Sequence, residues 1–169
     1  PELAQDEESH RRFVREARSA AGLNHVSNCV VHDVVEAFDP PFIVMEYVDG
    51  TTLRQILAQG SLELPDAVSY AAQMGAGLQH AHEAGIVHRD IKPANVMGTG
   101  TGRIKILDFG LAQVTEASQL TRTGEALGTV AYMSPEQIRD KSTDHRSDQW
   151  SLGVVLYELL TGRRPFSGS

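Results

Sequence analysis

The stretch that most constrains this chain runs from Ile86 to Gly110, IVHRDIKPANVMGTGTGRIKILDFG. Val96 and Met97 read as one strand, Gly98 to Gly102 as the turn, and Arg103 to Leu107, alternating polar and apolar, as the return strand. This hairpin joins two loops, one carrying Asp90, Lys92 and Asn95, the other Asp108. Two carboxylates, an amide and an ammonium held close together suit chemistry on a phosphate. The carboxylate and amide oxygens suit a divalent cation, the ammonium suits phosphoryl oxygens, and a carboxylate can orient a hydroxyl. The glycine-rich turn lacks the G-x-G-x-x-G spacing and joins two strands instead of opening a helix, so it reads as a turn and not as a phosphate cradle.

HRDIKPAN followed by DFG resembles the catalytic and metal-binding loops of eukaryotic-type protein kinases. Lys92, two residues after Asp90, resembles the serine/threonine branch. MEYVDG upstream, and GTVAYMSPE and SDQWSLGVVLYELLTGRRPF downstream, match that family in the same order, and the pattern resembles its bacterial members. The resemblance implies an α+β, two-lobed kinase-like fold, present in part. Residues 1–45 would be a remnant of the small β lobe (helix C and a hairpin), 46–50 the hinge, and 51–169 most of the helical lobe.

It further implies ATP and Mg²⁺ as cofactors and the Ser and Thr hydroxyls of proteins as acceptors. Asp90 would orient the hydroxyl and accept its proton, Lys92 would steady the transferring phosphoryl, and Asn95 and Asp108 would hold the metal. Glu16 would pair the phosphate-binding lysine of an earlier strand. Met45 would be the gatekeeper, the main-chain groups of Glu46 and Val48 would bond the adenine edge, and Met97 would contribute to the nucleotide site. A phosphate on Thr121 or Thr123 would pair with Arg89 and order the segment around them. The Thr129 hydroxyl would bridge Asp90 and Lys92. His88, Phe109, Glu136 and Asp148 would have structural parts, Asp148 by accepting backbone N–H groups near His88. The competing reading is a non-catalytic kinase-like module that binds a partner or a nucleotide weakly.

Along the chain, Gln5 to Ala21 has helical spacing, with Phe13, Ala17 and Ala20 on one side and Glu16 near them. Cys29–Ala37 and Phe42–Tyr47 read as an antiparallel hairpin around Asp39-Pro40-Pro41. Thr51 or Thr52 caps a short helix, Leu53 to Gln59. A longer helix begins after Leu64-Pro65 and ends at Gly85, with Val68, Ala71, Ala72, Gly75, Leu78 and His82 marking one face. Gly75 and Gly77 inside it point to close packing. His80 and His82, two positions apart, face different sides and read as structural rather than as metal ligands. Gln113 to Gly128 has no apolar period and reads as a mobile loop. Ser147 and Asp148 cap a helix from Gln149 to Thr161 that is apolar on most sides and therefore buried, stopped by Gly162 to Pro165.

A net charge of −7 speaks against a nucleic-acid footprint, which would need a basic stripe. Cys29 is the single cysteine, so an internal disulfide is excluded and a reducing, cytoplasmic setting is expected. No apolar run reaches membrane-span length, and no signal peptide opens the sequence. The chain begins at Pro1, shows no Gly-rich loop or V-A-I-K lysine ahead of Glu16, and lacks an arginine to pair Glu136. The expectation is a piece of a longer open reading frame, poorly folded and inactive when expressed alone.

Overall fold

The computed structural model describes residues 11, 13–38, 41–109, 129–139 and 142–166. Residues 13–20 are helical (α1) and bury Val14, Ala17 and Ala20, while Phe13 is only partly covered. The inward stripe thus runs one position later than the sequence pattern suggests at its first turn. Strands β1 (Val31–Val35) and β2 (Phe42–Met45) form an antiparallel pair with an irregularity between Val31 and Asp33. Both strands are shorter than their apolar runs. The residues before β1 have another partner: Cys29 N–H donates to Ile106 O at 2.8 Å, and Ile106 N–H donates to Ser27 O at 2.7 Å.

A second sheet has the order β3 (Gly50–Thr52), β4 (Val96–Thr99), β5 (Ile104–Ile106), antiparallel throughout. The sequence did not announce β3, a three-residue strand that begins at the glycine of Asp49-Gly50. β4 also runs two residues into the expected glycine turn, because Gly98 pairs with both Thr51 and Ile104. Helix α2 (Leu53–Leu57) starts with a capping box, Thr52 accepting Gln55 N–H while the Gln55 side chain accepts Thr52 N–H.

Helix α3 (Leu64–Glu83) buries Ala67, Met74, Gly77, Leu78 and Ala81. That face differs from the expected one, and Val68 is 51% exposed. The reason is the turn before β1. Asn28, fully buried, donates through Nδ2 to Gly77 O at 3.1 Å, which draws the Gly77 side of α3 inward. A Cβ at position 77 would lie 2.4 Å from Asn28 Oδ1 and 3.1 Å from Ile106 Cδ1. Here a glycine is needed for close approach.

After a 3₁₀ turn at Pro93–Asn95 and the β4–β5 hairpin, α4 (Pro135–Ile138) is capped by Ser134 and Gln137. Helix α5 (His145–Thr161) begins earlier than its sequence suggests: Asp144 is the cap, accepting Arg146 N–H, and Ser147 and Asp148 lie inside the first turn. It packs on α3 through one side only. The side bearing Trp150 and Tyr157 stays partly exposed: Trp150 stacks on Phe166, and Tyr157 is 48% exposed. The core gathers Leu23, Leu53, Met74, Ile91, Val96, Ile104, Ile106, Val155 and Leu159.

The close approach at Gly77 predicts opposite effects at two glycines of one helix. Gly77→Ala is expected to cost about 1–3 kcal/mol through overpacking, although alanine has the better helix propensity. Gly75→Ala, facing only Leu152 Cδ2 at 3.9 Å, is expected to gain up to about 1 kcal/mol. Thermal midpoints of the two variants check this; shifts of the same sign would mean that Asn28 does not exclude a side chain at 77.

Candidate active site

The loop between α3 and the 3₁₀ turn is shaped by a carboxylate from α5. Asp148 has no solvent exposure, and its Oδ2 and Oδ1 accept the N–H groups of His88 at 2.8 Å and Arg89 at 2.7 Å. His82 Nε2 lies 2.7 Å from the same Oδ2. A buried carboxylate needs several donors to offset its desolvation, and here it has three. Arg89 takes φ +67°, an unusual conformation for a side chain of its size, and its carbonyl accepts Gln137 Nε2 at 2.7 Å. His88 is fully buried: its Nδ1 accepts Asp90 N–H at 3.2 Å, so the proton sits on Nε2, which donates to Leu107 O at 2.7 Å. Its ring also meets the edge of Phe109, with centroids 4.8 Å apart. One imidazole therefore joins the loop of Asp90 to the loop of Asp108.

Beyond that imidazole, polar groups converge. Asp90 Oδ2 lies 2.7 Å from Lys92 Nζ and accepts Asn95 Nδ2 at 2.9 Å. Asn95 Nδ2 also donates to Asp90 O at 2.9 Å, which commits the amide nitrogen and leaves the carboxamide oxygen as its acceptor. Lys92 Nζ donates to Thr129 Oγ1 at 3.1 Å. Thr129 thus reaches Asp90 through the ammonium. Asp108 sits at φ +57°. Burial pushes its carboxyl above the ordinary value; His88 and Lys92 pull it down, and Asp90 adds repulsion.

Such a carboxyl gains from a nearby cation, and the donor set suits a hard one. No three His, Cys, Asp or Glu side chains converge as a metal cage among the described residues. A cation bound by Asp108 and the Asn95 oxygen would complete its shell with phosphate and water oxygens, as Mg²⁺ does in phosphoryl-transfer sites.

On the far side, Met45 ends β2 and lines a small cavity with Ala17, Ala20, Cys29, Val31, Ile43, Asp108 and Phe109. Glu46 N–H donates to Val30 O at 2.8 Å, and Glu46 O accepts the Cys29 thiol at 3.6 Å. Val48 and Met97 are half-buried, Met97 pairing with Lys105 and Thr52 in the second sheet. Glu16 is half-buried on α1, but its neighbour Ala17, not Glu16, lines the cavity. Thr121 and Thr123 lie outside the described residues, as does the whole segment from Gln113 to Gly128.

The family model for the protein kinase domain matches residues 2–169. The chain belongs to the protein kinase family. It is 46% identical over 173 residues to the serine/threonine-protein kinase PknB of Mycobacterium leprae, covering 99% of this chain and 28% of that protein. The PknB of Mycobacterium tuberculosis is 47% identical over 174 residues, with the same shares. The serine/threonine-protein kinase PrkC of Bacillus subtilis is 45% identical over 168 residues, 99% of this chain and 26% of that protein. The kinase chain therefore spans little more than a quarter of the length of these relatives.

Several groups around the site escaped the sequence. His82 reads there only as a structural histidine, yet it touches Asp148; its place six residues before His88, at the end of a helix, is the only hint. Lys105 looks like the solvent side of an alternating strand, but its Nζ meets Glu46 Oε2 at 2.8 Å. Glu136, expected to lack its partner, accepts the Ser147 hydroxyl at 3.0 Å. Its carboxyl is held below the ordinary value by its own N–H, the Ser134 hydroxyl and Ser147 against a small desolvation.

Asp148→Ala would strand the N–H groups of His88 and Arg89. It is expected to lower stability by about 3–5 kcal/mol, read as a lower urea midpoint at unchanged slope. An unchanged midpoint would mean that other contacts hold the loop.

Proposed function

We propose that the whole protein transfers the γ-phosphoryl group of Mg-ATP to Ser or Thr hydroxyls of protein substrates. The observation that carries this reading is the convergence of Lys92, Asn95 and Asp90, with Lys92 and Asn95 both on Asp90 Oδ2. The relatives bear the name serine/threonine-protein kinase, which supports the choice of acceptor.

In this reading Asp90 orients the acceptor hydroxyl and takes its proton. Its carboxylate is held by Lys92 and Asn95, so it has a defined direction before substrate arrives. Lys92 lies between Asp90 and Thr129, where its charge steadies the transferring phosphoryl while the Thr129 hydroxyl limits its movement. Asn95 and Asp108 would hold Mg²⁺, which when bound would neutralise phosphate charge. Glu46 and Val48 would present main-chain groups to the adenine edge, Met45 would act as the gatekeeper, and Met97 would contribute to the nucleotide site. Glu16 serves a phosphate-binding lysine. Residues 1–45 and 51–169 belong to the two lobes, and 46–50 to the hinge between them. No described helix is long and apolar enough to cross a membrane. The need for ATP argues for a cytoplasmic site of action.

Asp90→Asn in the whole protein is expected to reduce kcat by about 10²–10⁴ while changing ATP affinity by less than about twofold, because the base is not a nucleotide contact. Phosphate transfer to a basic protein substrate and calorimetric ATP titration measure the two quantities. Turnover equal to wild type would end the assignment.

Regulation falls on Thr121 and Thr123, whose phosphates would give Arg89 a doubly charged partner. Mass spectrometry of the active protein should find phosphate on one of them, and the pair Thr121→Ala, Thr123→Ala should lower activity. A fully active protein without phosphate there would refute this.

A further inference from the structure

Lys105 is the middle residue of β5, flanked by Ile104 and Ile106, both fully buried on the other face. Alternation alone would send its side chain to water. Instead its Nζ donates to Glu46 Oε2 at 2.8 Å and to Asn28 O at 3.2 Å. The same Glu46 oxygen accepts Val30 N–H at 3.2 Å, while Glu46 N–H donates to Val30 O at 2.8 Å. The Lys105 and Glu46 side chains are only 18% and 30% exposed. One ammonium thus ties together the residue that leaves β2, the docked turn at Asn28, and the strand that ends two residues before Asp108.

An exposed ion pair of this kind would contribute little. Three features set this one apart. It is partly withdrawn from solvent, the ammonium has a second acceptor in Asn28 O, and the carboxylate has a second donor in Val30 N–H. Partial burial pushes the Glu46 carboxyl up, but Lys105, the Val30 N–H and the charge of His32 outweigh it, so the group ends below its ordinary value.

We infer that Lys105 is a positioning residue for the nucleotide: acting through the Glu46 side chain, it fixes the main-chain groups that meet the adenine edge relative to the loop of Asp108. This rests on the nucleotide site proposed above. The side chain of Glu46 touches no substrate in this scheme. It orients its own backbone through Val30, and Lys105 orients it.

The test compares Lys105→Met, Lys105→Arg, Glu46→Gln and the double variant Lys105→Met, Glu46→Gln in the whole protein. Methionine keeps the stem length and removes the donors. Lys105→Met is expected to weaken ATP binding, by calorimetry and as KM, by about five- to tenfold, with kcat within about twofold of wild type. Glu46→Gln should weaken binding similarly, and the double variant should be no weaker than the worse single, since both remove one interaction. Lys105→Arg should retain most of the affinity.

Hydrogen exchange supplies a readout that needs no nucleotide: the Val30 and Glu46 amides should exchange about tenfold faster in Lys105→Met. Unchanged exchange, additive losses in the double variant, a fall in kcat at constant ATP affinity, or a gain in turnover would each overturn the inference. Failure of the functional proposal looks different, because the wild-type protein itself would then neither bind nor turn over ATP.

Discussion

Three hydrogen bonds converge on the Asp148 carboxylate, which sits in the first turn of α5 without exposure to solvent. Removing such a charge from water is costly, and only a full set of donors offsets it. The donors come from two consecutive backbone N–H groups and from His82 near the end of α3, so the carboxylate sets the path of the loop as well as its own environment. Arg89 is held at φ +67°, a conformation that costs a non-glycine residue about 1–3 kcal/mol and persists only where surrounding contacts require it. Because α3 and α5 pack together, the loop bearing Asp90 inherits its shape from a helix–helix contact.

On the other side of His88 the electrostatics run in the opposite sense. Asp148 is surrounded by donors, whereas Asp108 is desolvated and repelled by Asp90, with His88 and Lys92 only partly compensating. Glu46 shows what a single well-placed ammonium does: burial pushes its carboxyl up as well, yet Lys105 and Val30 bring it below its ordinary value. The carboxylates of one small region thus divide into those the fold has already satisfied and one whose charge invites a cation. That division would suit the phosphoryl transfer proposed above, in which positioning and charge stabilisation carry most of the catalysis.

The docked turn at Ser27–Cys29 connects these features to the rest of the chain. It adds an isolated parallel bridge to Ile106, places Asn28 against Gly77, and puts the Asn28 carbonyl within reach of Lys105. This turn also explains where local reading went astray. Cys29 and Val30 look like the beginning of a strand, but the Cys29 N–H is taken by Ile106, so β1 starts at Val31. The inward face of α3 follows Gly77 for the same reason. Asp144 caps α5 although Ser147-Asp148 looks like a cap, because Asp148 is needed inside, facing the loop.

What the sequence determined by itself is the content of the site and its order along the chain. Asp90, Lys92, Asn95 and Asp108 lie on short loops flanking one hairpin, and so local turns and strand alternation suffice to bring them near one another. The family could be read from contiguous motifs for the same reason. Tertiary structure alone decided which groups orient them. His82 and Asp148 are 66 positions apart, Glu46 and Lys105 are 59 apart, and Asn28 and Gly77 are 49 apart. No periodicity links such pairs: each partner reads locally as an ordinary polar residue or a helix-weakening glycine. Only the packing of helix on helix and of turn on sheet removes the water between them and makes the pairing favourable.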